Sequence, residues 1–105
     1  MNSLVFVEVL KERERARALH PGTEDMPDGY VPEAYRTFEA HARLTCERAA
    51  REGRLTFRDV FNEEVAEALA ADDEMKLRTE LVQVMALCLK GIEAIERRRG
   101  PAGGT

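Results

Sequence analysis

Apolar residues recur along the chain at helical spacing, and strand-like alternation does not persist beyond the first few positions. The pattern predicts four helices. The first is predicted from Ser3 to about Leu19, where a loop rich in proline, glycine and acidic residues begins and covers 20–32. Pro32, a residue favoured in the first helical turn, opens the second helix, and Gly53 ends it.

The third and fourth helices are predicted to form a hairpin. Thr56 has the character of an N-cap, and Asp59 is placed to complete a capping box. The third helix then covers about 57–71, the acidic pair 72–73 forms the turn and caps the next helix, and the fourth helix covers about 74–99. Helices joined by so short a turn are expected to be antiparallel neighbours.

The fourth helix predicts an oligomer. From 81 to 92 it carries only two strongly polar residues, Gln83 and Lys90. A helix that is apolar nearly all round is buried on most sides, and a chain of 105 residues has too few other helices to surround it. We therefore predict an all-α domain over 1–99 and a disordered tail over 100–105, assembled as a homodimer or a dimer of dimers through this helix.

Composition and charge narrow the class of protein. An apolar fraction of 44% and a charged fraction of 34% suit a globular domain, and no apolar run approaches the roughly 18 residues of a membrane span.

The acidic excess is concentrated in 59–80, which holds eight acidic and two basic side chains. That excess argues against nucleic-acid binding, which needs clustered Lys and Arg, and favours a cation. Cys46 and Cys88 lie among apolar neighbours and are interpreted as free, buried thiols, so we expect a cytoplasmic protein.

Four oxygen-bearing side chains of the hairpin are predicted to converge. Glu64 and Glu67 are three residues apart on the third helix, as are Glu80 and Gln83 on the fourth. Both pairings across the turn, 67 with 80 and 64 with 83, have the same midpoint, so the paired positions lie level in an antiparallel hairpin. Three carboxylates would repel one another there without a cation, whereas Mg²⁺ takes such ligands and bridges them to phosphates. The alternative is a solvated acidic face, since glutamate is abundant on helices.

The same residues resemble a known family signature. The motif EExxE at 63–67, followed after twelve residues by ExxQ at 80–83, resembles the EExxE…ExxD signature of the MazG-like all-α nucleoside triphosphate pyrophosphohydrolases. The resemblance covers 52–98 well and the N-terminal half loosely. It implies a four-helix MazG-like bundle that binds Mg²⁺ as an oligomer and hydrolyses a nucleoside triphosphate to the monophosphate and pyrophosphate.

By this resemblance the metal ligands would be Glu64, Glu67 and Glu80, with Gln83 at the position where the family has aspartate. A glutamine carbonyl can coordinate a metal ion but brings no charge. The departure disfavours a full set of metals and favours slower or lost turnover. It is equally compatible with a polar residue tolerated at a helix interface.

Two further residues are candidates for the chemistry. Glu63 would orient or deprotonate the attacking water, unless it is merely solvated. Lys90, two turns beyond Gln83 on the same helix, would reach a phosphate, unless it extends to solvent as a lone lysine beside an apolar stripe commonly does. Lys76 and Arg78 near the turn are interpreted as solvated.

Three functions therefore compete. The first is the Mg²⁺-dependent pyrophosphohydrolase. The second is a nucleotide- or metal-binding regulator that has lost catalysis with the family's aspartate. The third is a structural helical interaction protein whose acidic face is solvated.

Overall fold

The structure of the protein is a computed structural model that describes residues 3–100, and this part of the chain forms four helices and no strand. The prediction of an all-α fold is confirmed. The helices are α1 (Ser3–Leu19), α2 (Pro32–Arg51), α3 (Phe57–Leu69) and α4 (Glu74–Arg99). Their ends lie within two residues of the predicted ones. Of the tail predicted over 100–105, only Gly100 lies within the described residues.

Local hydrogen bonds set the limits of the α3–α4 hairpin. At the start of α3, the Thr56 hydroxyl accepts a hydrogen bond from the Asp59 backbone N–H at 3.2 Å, and the Thr56 backbone N–H donates to the Asp59 carboxylate at 3.1 Å. This is the predicted capping box. At the start of α4, Asp73 Oδ1 accepts from the Lys76 backbone N–H at 2.8 Å. Gly53, which follows α2, has a φ of +71°, a conformation that glycine adopts without strain.

The three later helices form a layered arrangement in which α3 lies between α2 and α4, whereas α1 makes only slight contact with the rest of the described chain. The buried apolar residues of the described chain are small: Val5, Ala42, Ala49, Ala66 and Ala71. Because Ala42 and Ala49 of α2 and Ala66 of α3 are small, the backbones of these two helices can approach closely. No large side chain among the described residues is completely buried, so this chain on its own has a thin core.

The chain exposes more surface than a compact monomer of its size. Its accessible surface is 8352 Å², whereas a compact monomer of 11.8 kDa exposes about 5,900 Å². Its radius of gyration is 16.5 Å, against about 13 Å for a compact domain of this length. The difference in area, about 2,400 Å², shows how much surface this arrangement of helices leaves uncovered.

Much of the uncovered surface is apolar. None of the residues of α4 is buried. We call five of its exposed side chains the α4 apolar face: Leu81, Val82, Met85, Ile92 and Ile95. Despite these residues, no helix in the described range is long and apolar enough to cross a bilayer.

The two cysteines differ in part from expectation. Cys46 and Cys88 are free, as predicted, but each is only partly buried. The prediction of buried thiols is therefore wrong for this chain. The reason is that the apolar neighbours of Cys88 on α4 are themselves exposed, since no further helix of the described chain covers them.

Candidate metal centre

Three carboxylates converge between α3 and α4. Glu64 and Glu67 of α3 and Glu80 of α4 each offer one carboxylate oxygen, and these three oxygens all lie within 4.8 Å of one another. Each of the three residues is partly buried. The convergence follows from the turn register, which the sequence predicts. We refer to these three residues as the carboxylate triad.

Gln83 lies beside the carboxylate triad. Its terminal amide is 3.1 Å from Glu64 Oε2 and 3.2 Å from Glu80 Oε2 when the amide nitrogen faces them, and it then donates a hydrogen bond to each. The same side chain rotated by half a turn would present its carbonyl oxygen to the triad. Gln83 can therefore stabilise the carboxylates as a donor when no cation is present and offer an oxygen ligand when one is.

The electrostatics of the triad favour a bound proton or cation. Burial, the charge of Glu64 and a hydrogen bond with Glu80 raise the pKa of Glu67 from 4.5 to about 7. Burial and the charge of Glu80 also raise the pKa of Glu64. The raised pKa values of Glu64 and Glu67 both mean that ionising these carboxyl groups together is unfavourable without a counter-charge. A divalent cation would supply that charge.

Glu63 adjoins the triad in sequence, but it has a partner on another helix. It shares a hydrogen bond with the thiol of Cys46 on α2, and this bond, together with the larger effect of burial, raises the pKa of Cys46. The negative charge of Glu63 also contributes to the raised pKa values of Glu64 and Glu67. The charge of Glu63 thus acts on two carboxylates of the triad, and its side chain also interacts with Cys46 of α2.

A polar cleft with a volume of about 470 Å³ opens beside the triad. Glu67 and Glu80 line it from the hairpin, and Arg36, Glu39 and Arg43 line it from α2. These three α2 residues were not among the site residues predicted from the sequence. A signal was present, because positions 36, 39 and 43 have the i, i+3, i+7 spacing that places residues on one helix face.

Lys76, predicted to be solvated, also lines this polar cleft. Its ammonium group lies 2.9 Å from Asp72 Oδ1 and 3.9 Å from Asp73 Oδ2, and its side chain remains largely exposed. The prediction of a solvated lysine is therefore confirmed, and the same side chain also borders the cleft that Glu67 and Glu80 line.

Lys90 lies elsewhere. It lines a groove of about 280 Å³ with Leu55, Thr56 and Leu87 at the opposite end of the hairpin from the acidic turn. Next to that groove, the stacked rings of Phe57 and Phe61, with centroids 5.7 Å apart, border an apolar depression of about 340 Å³. Lys90 is not among the residues that line the polar cleft. The structure therefore brings Glu64, Glu67, Glu80 and Gln83 together but leaves Lys90 apart from them.

The donor set suits a hard divalent ion. Carboxylate and amide oxygens are the ligands that Mg²⁺ takes in proteins, and softer metals prefer thiolate or imidazole. In comparisons with known proteins, the chain matches no family model, and no curated protein or solved structure shows significant similarity to it. The resemblance to the MazG-like enzymes therefore rests on the motif itself and stays a prediction.

Proposed function

We propose that the protein is a Mg²⁺-dependent hydrolase that converts a nucleoside triphosphate to the monophosphate and pyrophosphate. The observation that carries the proposal is the convergence of the carboxylate triad, whose oxygens lie within 4.8 Å of one another. A second observation supports it, since Glu67 and Glu80 also line a polar cleft large enough for a small-molecule ligand. A solvated acidic face requires neither feature.

In this proposal the carboxylates of Glu64, Glu67 and Glu80 hold the ion, and Gln83 turns its carbonyl oxygen toward it. Bound there, Mg²⁺ would neutralise phosphate charge and activate the attacking water. Glu67 must give up its proton before it can act as a ligand, because its pKa is raised to about 7. Metal binding should therefore weaken as the pH falls below neutrality.

Glu63 is proposed to accept the proton of the attacking water at its carboxylate. The support is that Glu63 adjoins Glu64 on α3 and that its negative charge contributes to the raised pKa values of Glu64 and Glu67. Its carboxylate also interacts with the Cys46 thiol of α2, whose pKa it helps to raise after the larger effect of burial. A thiol is a weak donor, so this interaction is a small obstacle to proton transfer.

The proposal includes a homodimer or a dimer of dimers, working in the cytoplasm with the two thiols reduced. Obligate interfaces bury roughly 2,000–5,000 Å² summed over both partners, and two chains that each covered about 2,400 Å² would bury about 4,800 Å² together. The α4 apolar face is the surface proposed to be covered, because its Leu81, Val82 and Met85 are each about half exposed or more. A thin core of small residues fits a chain whose stability depends on association.

Gln83 favours one competing function. With an uncharged amide in place of a fourth carboxylate, the centre carries less negative charge to hold metal ions. A regulator that binds a nucleotide or a metal ion without turnover is therefore the second candidate. A structural interaction protein would use the α4 apolar face alone and would leave the triad without a ligand.

The experiment is incubation of the purified protein with Mg²⁺ and a panel of ribo- and deoxyribonucleoside triphosphates, with separate assays for pyrophosphate and orthophosphate. The enzyme proposal expects pyrophosphate from at least one nucleotide, and no release from the Glu67→Gln variant. Glu47→Gln, which changes an exposed carboxylate of α2, is the matched control.

The remaining outcomes separate the alternatives. Without turnover, a rise in melting temperature with Mg²⁺ and a non-hydrolysable triphosphate would indicate the regulator, because a ligand of the folded state raises its stability. If the protein shows no turnover and is not stabilised by either ligand, the structural interaction protein is the function that remains.

A further inference from the structure

The side of the polar cleft formed by α2 carries positive charge. Arg36, Glu39 and Arg43 lie along one helix face, and this face borders the same cleft as Glu67 and Glu80 of the triad. Acidic ligands for a cation thus occupy one side of a single cleft, and guanidinium groups occupy another. A ligand that fits both sides has to be anionic and able to share a cation with the carboxylates.

The guanidinium groups have weak partners. Arg36 forms an ion pair with Glu33 at 3.2 Å, and Arg43 forms one with Glu39 at 3.5 Å. Both pairs join neighbouring turns of one helix, and the arginine side chains are 60% and 51% exposed. Exposed pairs of this type contribute little to stability, so each arginine can turn to a stronger partner at small cost.

We propose that Arg36 and Arg43 bind the phosphate chain of a polyphosphate ligand whose metal ion is held by the triad. The inference rests on the proposed function and extends it to a residue set on a different helix. Arginine suits this role because its planar guanidinium group forms paired hydrogen bonds with phosphate oxygens. Lys76 adds a third cation at the same cleft.

The cleft also couples the two ligands. Three cationic and four acidic side chains line it, so without a metal ion the acidic groups offset the cations and a polyphosphate is attracted only weakly. A divalent ion on the triad reverses this balance. Polyphosphate binding therefore depends on Mg²⁺, and by linkage the polyphosphate strengthens Mg²⁺ binding by the same factor.

The test is titration calorimetry of the full chain with two probes, Mg²⁺ alone and inorganic tripolyphosphate in the presence of Mg²⁺. The variants are Arg36→Gln and Arg43→Gln, with Arg48→Gln, an exposed arginine of α2 away from the cleft lining, as the control. We expect Arg36→Gln and Arg43→Gln each to weaken tripolyphosphate binding by about tenfold or more, because each removes charged hydrogen bonds. Binding of Mg²⁺ alone should stay unchanged in all three variants.

Salt dependence gives a second readout. Each cleft arginine that contacts phosphate should make tripolyphosphate binding more sensitive to ionic strength, so both cleft variants should show a shallower dependence than Arg48→Gln. Arg36→Lys and Arg43→Lys, which keep the charge, should recover part of the lost affinity. Circular dichroism of each single variant establishes that it is folded.

The inference is overturned if the two cleft variants bind Mg²⁺–tripolyphosphate as Arg48→Gln does, or if the unmodified protein does not bind it. The proposed function has its own criterion, which is pyrophosphate release from a nucleoside triphosphate by the unmodified protein. A protein that turns over nucleotide with Arg36 and Arg43 both replaced would keep the proposed function and lose this inference.

Discussion

Replacing Glu67 by glutamine should stabilise the metal-free protein, and the gain should depend on pH. The pKa of Glu67 is raised from 4.5 to about 7 in the folded chain. The folded state therefore holds a proton that the unfolded state has released, and this contribution to stability is fully present below pH 4.5 and is lost as the pH rises to about 7. A glutamine side chain at this position does not titrate, and its amide can donate to Glu80 as the protonated carboxyl does.

The size of the effect follows from the pKa. At 1.36 kcal/mol for each pKa unit, the full rise corresponds to about 3 kcal/mol between pH 4.5 and 8. Glu67 is only partly buried, so solvent screening reduces this to about 1–2 kcal/mol. For a domain of this size the corresponding change in melting temperature is about 5–10 °C.

The assay is thermal unfolding followed by circular dichroism at pH 5, 6, 7 and 8 in the presence of a chelator, at one fixed protomer concentration. The Glu67→Gln variant should match the unmodified protein at pH 5 and exceed it at pH 8. The difference between the two curves reports the titration of Glu67 together with its coupling to Glu64 and Glu80, because the titrating groups outside the triad are common to both proteins. Glu47→Gln provides the control for loss of one exposed negative charge.

Addition of Mg²⁺ at pH 8 should reverse the order of the two proteins. The unmodified protein should gain about 2.7 kcal/mol when the ion is present at one hundred times its dissociation constant, and Glu67→Gln should gain little. A difference between the curves that stays within about 0.5 kcal/mol at every pH, as for an ordinary surface substitution, would refute the convergence of three charges. So would equal stabilisation of both proteins by Mg²⁺.

Three further changes test other parts of the structure. Gln83→Asp, which places a fourth carboxylate beside Glu64 and Glu80, should raise Mg²⁺ affinity in calorimetry and increase any turnover; unchanged affinity would argue against a ligand at this position. Met85→Glu, in the α4 apolar face, should dissociate the oligomer in light scattering, since a charge in an apolar interface costs several kcal/mol; an unmodified protein already at 11.8 kDa would contradict the expected assembly. Thr56→Ala should lower the free energy of unfolding by about 1 kcal/mol in urea, because it removes half of the capping box, and an unmoved midpoint would show that the cap is dispensable.

The sequence predicted the α3–α4 hairpin well because its determinants are local. Thr56 and Asp59 meet within one turn of helix, and Asp73 caps α4 three residues before the N–H group that it binds. Once both helix starts are known, the turn itself sets which α3 residue faces which α4 residue. The level pairing of Glu64 with Gln83 needed no other information.

The cationic side of the cleft was not predicted because it depends on how α2 packs against α3, which the local sequence does not determine. Arg36 and Arg43 lie on α2, and the short connection over 52–56 does not by itself determine how α2 is rotated about its axis against α3. That rotation is set by packing, with Ala49 and Ala66 completely buried. The partial exposure of Cys88 has a similar origin. Its apolar neighbours on α4 predict that this surface is covered, but they do not show whether the cover comes from the same chain or from another one.

The four residues of the candidate centre, from Glu64 to Gln83, fit within twenty consecutive residues of one hairpin. Closing so short a loop costs little chain entropy, and contacts between near neighbours in sequence form early when a protein folds. The carboxylates should therefore meet within the nascent chain before any second copy is encountered. A divalent ion bound at that stage would speed folding as well as slow unfolding, which would make the order of events during biosynthesis metal first and assembly second.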